Sequence, residues 1–121
     1  MAKSKVLIAE DDVTMVTLLK ILLKMEDFDV VALHADADVL AAARVEKPDV
    51  LLLDLHLGNQ SGLDILDQIR AAQDMRDLPI IVSSGSNSKE ICLARGASGF
   101  VLKPYMPDEL ITLLKQAIHS N

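Results

Sequence analysis

The sequence predicts a single α/β domain: a doubly wound, five-stranded parallel sheet with helices on both faces. Three observations lead there. Short apolar runs alternate with helical patterns five times along the 121 residues. Each run is apolar throughout and does not alternate with polar residues, as expected where both faces of a sheet are covered. Strands connected through helices run parallel, with right-handed crossovers. The length suits one domain over residues 1–121. Such a domain buries enough surface to fold without disulfides or a structural metal.

The elements follow in order. Val6-Leu7-Ile8-Ala9 is too short for a helix and reads as the first strand. Asp12 is placed to cap a helix from Val13 to about Met25, whose polar residues Thr14, Thr17, Lys20 and Lys24 form one narrow stripe. Val30-Val31-Ala32-Leu33 is the second strand, and Asp36 caps an alanine-rich helix that must stop before Pro48. Val50-Leu51-Leu52-Leu53 is the third and most apolar strand. Ser61 and Asp64 have capping-box spacing and open a helix through Leu63, Leu66 and Ile69. Ile80-Ile81-Val82-Ser83 is the fourth strand, and Ser88 starts a short helix ending at Gly96. Phe100-Val101-Leu102 is the fifth strand. Pro107, Asp108 and Glu109 open the last helix behind Met106, which has no oxygen with which to cap it.

Composition excludes several classes of function. Eighteen acids against twelve bases leave a net charge of −6, and no basic run offers a footprint for nucleic acid. The three aromatics, Phe28, Phe100 and Tyr105, are too few for a base-stacking surface. No apolar run is long enough to span a membrane, and the N-terminal segment reaches acids too soon for a signal peptide. The lone Cys92 forms no internal disulfide and suits a reducing cytoplasm; it reads as a helix residue without chemistry.

Parallel α/β sheets bind ligands beyond the carboxyl ends of their strands. Glu10, Asp11 and Asp12 follow the first run, Asp54 the third, Ser83, Ser84 and Gly85 the fourth, and Lys103 and Pro104 the fifth. The fold would therefore gather residues 43, 30 and 19 positions apart (Asp11 to Asp54, Asp54 to Ser84, Ser84 to Lys103) at one edge. Clustered carboxylates repel one another, and a hard divalent cation such as Mg²⁺ relieves that cost. A lysine and a hydroxyl beside them complete the parts needed to receive a phosphoryl group and neutralise its oxygens.

The segments VLIAEDD, PDVLLLDLHLGNQSG, LPIIVSSGS and GASGFVLKP, in that order, resemble a response-regulator receiver domain of two-component signalling, of the chemotaxis-regulator kind. The resemblance covers the whole chain. It implies a flavodoxin-like sheet of order 2-1-3-4-5 and a phosphoacceptor, Asp54. Glu10 and Asp11 would be the acidic pair positioning Mg²⁺, with Asp11, Asp54 and the backbone carbonyl of His56 as direct ligands and Glu10 acting through water. Ser84 would hydrogen-bond one phosphoryl oxygen and Lys103 pair with another; Ser83 is the neighbouring alternative for the hydroxyl. Phe100 holds the aromatic switch position, which follows Ser84 inward. The Lys103–Pro104 bond would be cis. The implied phosphodonor is a histidine kinase or histidine phosphotransfer protein, docking on Met15, Leu18, Pro104 and Tyr105. Nothing in this reading calls for a separate substrate, so the chain is expected to be a phosphoacceptor rather than an enzyme.

Two other readings stand beside it. One is an interaction module that keeps the fold without using phosphorylation; such a module need not bind Mg²⁺. The other is a phosphatase with an aspartyl nucleophile, which needs a second acid two residues on, where this chain has His56. His56 is not a transition-metal ligand either, since His34 and His119 do not lie at ligand spacing. Acids at helix starts also serve as caps, and Asp12 is explained that way.

The chain departs from the family pattern at several points. Gly58 replaces a proline four residues after Asp54, predicting a more flexible loop, while Gly62 keeps the family's glycine. Ser84 replaces a commoner threonine and Gly85 a commoner alanine. The segment from Ser86 to Arg95 is about one turn short, so any partner face borrowed from the family through the fourth helix is set aside. The first helix is apolar over more of its circumference than one-sided packing requires, from deep burial or a docking face.

Overall fold

A computed structural model describes residues 3–119. The central sheet consists of β1 (Lys5–Ala9), β2 (Asp29–Leu33), β3 (Val50–Asp54), β4 (Ile80–Ser84) and β5 (Gly99–Leu102). Its order is β2-β1-β3-β4-β5, and every neighbouring pair is parallel. This is the flavodoxin-like 2-1-3-4-5 arrangement. The helices are α1 (Val13–Met25), α2 (Val39–Glu46), α3 (Gly62–Ala71), α4 (Lys89–Ala94) and α5 (Pro107–His119).

Alternate strand residues divide between two apolar layers, as the pleat requires. Val6, Ile8, Val50, Leu52, Ile81 and Val101 pack with Leu19 and Leu23 of α1 and with Leu110 and Leu114 of α5. Leu7, Leu51, Leu53, Ile80 and Val82 pack with α2, α3 and Cys92 of α4 on the other face. Cys92 is fully buried there, and burial pushes its thiol pKa up, away from reactivity.

Local chemistry sets the boundaries. Asp12 caps α1 by accepting the Met15 N–H at 3.1 Å. That helix ends with Asp27 in the left-handed region (φ +65°), where the Phe28 N–H returns to the Leu23 carbonyl and both side chains are buried. Gly96 (φ +103°) closes α4 in the same way, with the Ala97 N–H on the Cys92 carbonyl. Lys47, left-handed at φ +49°, ends α2 just before Pro48.

Three caps differ from expectation. Asp38, not Asp36, caps α2, accepting the Ala41 N–H at 3.0 Å, because residues 34–37 are spent in a turn closed by Ala37 N–H on the His34 carbonyl. Ser61 precedes α3 but its side chain caps nothing. Its backbone belongs to a two-stranded antiparallel ribbon, His56–Leu57 with Gln60–Ser61, which the sequence pattern did not predict. Ser88 precedes α4, again without a side-chain cap.

The first helix buries only Leu19 and Leu23 fully, leaving Leu18, Ile21 and Met25 at 48%, 55% and 74% exposure. Its extra apolar surface is therefore uncovered in the monomer. Among the described residues, no helix is long and apolar enough to cross a membrane.

Candidate functional site

The parallel sheet brings its strand ends to one edge, and the predicted residues meet there. Glu10 directly follows β1, Asp54 is the last residue of β3, and Lys103 directly follows β5. Carboxylate oxygens of Glu10, Asp11 and Asp54 all lie within 4.8 Å of one another. The Lys103 Nζ donates to Glu10 Oε1 at 2.6 Å and to Asp54 Oδ2 at 3.1 Å. Glu10 and Asp54 are buried, and Asp11 is exposed at the rim.

Backbone amides hold the other carboxylate oxygens. The Asp12 N–H donates to Glu10 Oε2 at 3.1 Å, and the His56 N–H to Asp54 Oδ1 at 3.1 Å. Asp11 Oδ2 accepts the Gly58 N–H at 3.0 Å. Burial pushes the Glu10 pKa up; the Lys103 hydrogen bond opposes this, and the Asp54 carboxyl adds to it. Burial pulls the Lys103 pKa down, but its bonds to Glu10 and Asp54 outweigh that, and the net shift is upward. The lysine is a cation held between two buried anions. Removing charge repulsion from three convergent carboxylates is the chemistry a hard divalent ion supplies, and an all-oxygen donor set fits Mg²⁺.

Gly58 replaces a proline without leaving its loop unanchored. A proline has no N–H to give Asp11, and its ring cannot reach the φ of +58° seen here. The Gln60 amide nitrogen adds two bonds, to the Ala35 and Ala37 carbonyls, each at 2.9 Å. Gly62 is required by contact: an added Cβ would lie 2.5 Å from the Asp54 carbonyl oxygen and 2.6 Å from the Leu55 Cα.

The two serines take different surroundings. Ser83 pairs in register with Asp54, and its buried hydroxyl has no hydrogen-bond partner among the described residues. Ser84 lies on the opposite face of the sheet, and its hydroxyl bonds Ser86, not Asp54. Phe100, half-buried, packs against the α2–α3–α4 layer that Ser84 faces. His56 is exposed. The Lys103–Pro104 bond is cis. Of the expected docking residues, Leu18 and Pro104 are exposed, while Met15 and Tyr105 are half-buried and touch one another, Tyr105 Oη donating to Met15 Sδ at 3.7 Å. Sequence reasoning missed the anchoring roles of Gly58 and Gln60 because one donates its backbone N–H and the other donates its side chain to backbone carbonyls, partners that carry no residue signature.

Comparison with known proteins agrees with this geometry. Residues 6–115 match the response regulator receiver domain family. The transcriptional regulatory protein KdpE of Mycobacterium tuberculosis is 34% identical over 96% of this chain and 51% of its own length. DNA-binding response regulators MtrA match similarly, so the chain spans about half the length of the curated relatives it matches. A response regulator structure from Chloroflexus aurantiacus superposes with a TM-score of 0.87 at 25% identity, covering 97% of this chain and 98% of that one. The receiver domain of a Pseudomonas aeruginosa sensor histidine kinase, solved with magnesium ion coordinated in its active site cleft, superposes at 0.84 with 24% identity over 97% and 98% of the two chains. Sheet order, edge chemistry and family match agree: this chain belongs to the response regulator receiver domains.

Proposed function

We propose that Asp54 accepts a phosphoryl group from a phosphohistidine on a histidine kinase or histidine phosphotransfer protein, and that the modified domain then binds a downstream protein differently. The observation that carries this reading is the Lys103 ammonium held within hydrogen-bond distance of both Glu10 and Asp54. Transfer forms a bond from an Asp54 carboxylate oxygen to phosphorus and breaks the donor's phosphorus–nitrogen bond, whose electrons leave with the imidazole. The Asp54 carboxylate is aimed by the His56 N–H, which donates to Oδ1. Lys103 pairs with one phosphoryl oxygen, and the Ser84 hydroxyl turns to another, with Phe100 following it. Glu10, Asp11, Asp54 and the His56 carbonyl would hold Mg²⁺, which when bound neutralises the carboxylates and the incoming phosphoryl oxygens.

The acyl phosphate adds about one negative charge and strong acceptor oxygens to a buried edge. That charge is what biases the domain between two arrangements. In this reading the protein assists its own phosphorylation and dephosphorylation and turns over no separate substrate, in the cytoplasm and without direct contact with nucleic acid. Intact-mass measurement after incubation with acetyl phosphate and Mg²⁺ tests it. The parent chain gains one phosphate and Asp54→Asn none; incorporation persisting in that variant removes the claim.

A further inference from the structure

We infer that Gln60 is a positioning residue of the cation site, and that by fixing the ribbon after β3 it biases that site toward Mg²⁺ over the larger Ca²⁺. This rests on the proposed reading in which Glu10, Asp11, Asp54 and the His56 carbonyl hold the ion. The Gln60 side-chain nitrogen donates to the Ala35 and Ala37 carbonyls, in the loop after β2, at 2.9 Å each. Carbonyls only accept, so the nitrogen end of the amide must face them, and both of its protons are engaged.

The place of Gln60 in the ribbon gives this clamp its reach. Gln60 pairs with Leu57, which stands between His56 and Gly58. Leu57 is fully buried in the α2–α3–α4 layer, so the ribbon is pinned by that apolar contact on one side and by Gln60 on the other. Its turn lies against the same loop: a Cβ on Gly58 would come within 3.0 Å of the Ala35 Cβ. From there the Gly58 N–H reaches Asp11 Oδ2 at 3.0 Å, and among the described residues that is the single hydrogen bond on the Asp11 carboxylate.

Two groups of the cation site, the Asp11 carboxylate and the His56 carbonyl, therefore take their positions from the ribbon. The other two, Glu10 and Asp54, are set by β1 and β3 and by Lys103, which donates to both. Glycine at position 58 gives the turn more backbone freedom than a proline would, and Gln60 supplies the missing restraint. That restraint matters differently to two ions. Mg²⁺ is small and demands a near-ideal octahedron of oxygens, whereas Ca²⁺ takes about six to eight in variable geometry. A ribbon free to shift thus costs Mg²⁺ more than Ca²⁺.

Calorimetric titration with Mg²⁺ and, separately, with Ca²⁺ at neutral pH tests this. Gln60 belongs to neither apolar layer, so its replacement leaves the core unchanged. Gln60→Met keeps the length of the side chain and removes both donors; Gln60→Glu keeps its shape and removes them as well. Each variant loses about tenfold in Mg²⁺ affinity relative to Ca²⁺, the lower end for a residue that acts on a metal through another ligand. The ratio cancels the charge that glutamate adds, since both ions are divalent, and it cancels a general loss of stability, which weakens both alike. Hydrogen exchange in chelator reads the clamp without any ion: the Gly58 amide is protected in the parent and loses that protection in Gln60→Met, while the amides of β3 keep theirs. A Mg²⁺-to-Ca²⁺ ratio unchanged in either variant, or Gly58 protection retained in Gln60→Met, overturns the inference alone. A parent that binds neither ion overturns the proposed cation site and this inference with it.

Discussion

Replacing Lys103 with methionine removes the ammonium and keeps the length of the stem. Each of its two partners has one carboxylate oxygen held by a backbone amide and the other by Lys103: Glu10 Oε1 at 2.6 Å and Asp54 Oδ2 at 3.1 Å. The carboxylate side chains are 3% and 6% exposed and the lysine 24%, so the variant leaves two anions buried side by side without their cation. Orphaning a deeply buried charge costs about 3–5 kcal/mol, and the partial exposure of this lysine brings the cost below that range, to about 2–3 kcal/mol at pH 7.5. For a chain of this length that lowers the melting temperature by roughly 8–12 °C.

The pH dependence separates charge from packing. The Glu10 pKa already lies above its ordinary value, and losing Lys103 raises it further, because the lysine was opposing the shift. A carboxyl whose folded pKa exceeds its unfolded one takes up a proton on folding, so the variant gains stability as pH falls through that raised value toward 4.5. The Lys103 shift in the parent has the same sign but acts only in a far more alkaline window, so it is constant between pH 5 and 7.5. The raised folded pKa of Lys103 makes its contribution complete below the unfolded value and lost only as pH rises through the folded one. The gap between parent and variant is therefore wide at pH 7.5 and narrow at pH 5. Melting followed by circular dichroism, with chelator present, reads it directly. Added Mg²⁺ at pH 7.5 should stabilise the variant more than the parent, since it supplies the missing positive charge. A variant melting within about 2 °C of the parent at pH 7.5, or a gap of the same size at pH 5, would refute the electrostatic account.

Other expectations are simpler to state. Gly62→Ala drives a Cβ into backbone atoms of Asp54 and Leu55, which cannot swing aside, and should cost about 3 kcal/mol or more in urea denaturation, with slower phosphate uptake; parental stability would contradict the contact. Ser83→Ala removes a buried hydroxyl with no partner among the described residues and should be neutral or stabilising by roughly 0.5–1 kcal/mol while leaving phosphate uptake intact. Loss of uptake in that variant would transfer the phosphoryl-binding role from Ser84 to Ser83. Tyr105 is the single tyrosine in a chain without tryptophan, so phenolate absorbance reports it alone. Burial first, and then the Glu10 carboxylate, push its pKa up to about 12. Glu10→Gln should lower that midpoint, and a parental midpoint at the ordinary 10 would contradict the burial.

The site was legible because parallel topology turns a one-dimensional pattern into a place. Once five apolar runs are joined by helices, every run ends at the same edge, and Glu10, Asp11, Asp54 and Lys103 need no further information to meet. What stayed hidden has one common cause: it is carried by backbone groups or by competition among similar residues. Two aspartates, Asp36 and Asp38, lie two residues apart, and the turn closed by the Ala37 N–H decides which of them caps α2. Ser61 has the spacing of a capping box, yet the ribbon pairing of two residues with two others, too short for any periodicity, claims its backbone first. Gly58 carries the argument furthest. Substitution of a proline by glycine reads from sequence as loosening, because glycine widens the conformations open to the chain. In the folded molecule the same substitution supplies a donor: the Gly58 N–H binds Asp11 Oδ2 at a φ that proline cannot adopt. The loop that follows Asp54 is thereby tied to the acid that follows β1, and the glycine links the two carboxylate-bearing strand ends across the site.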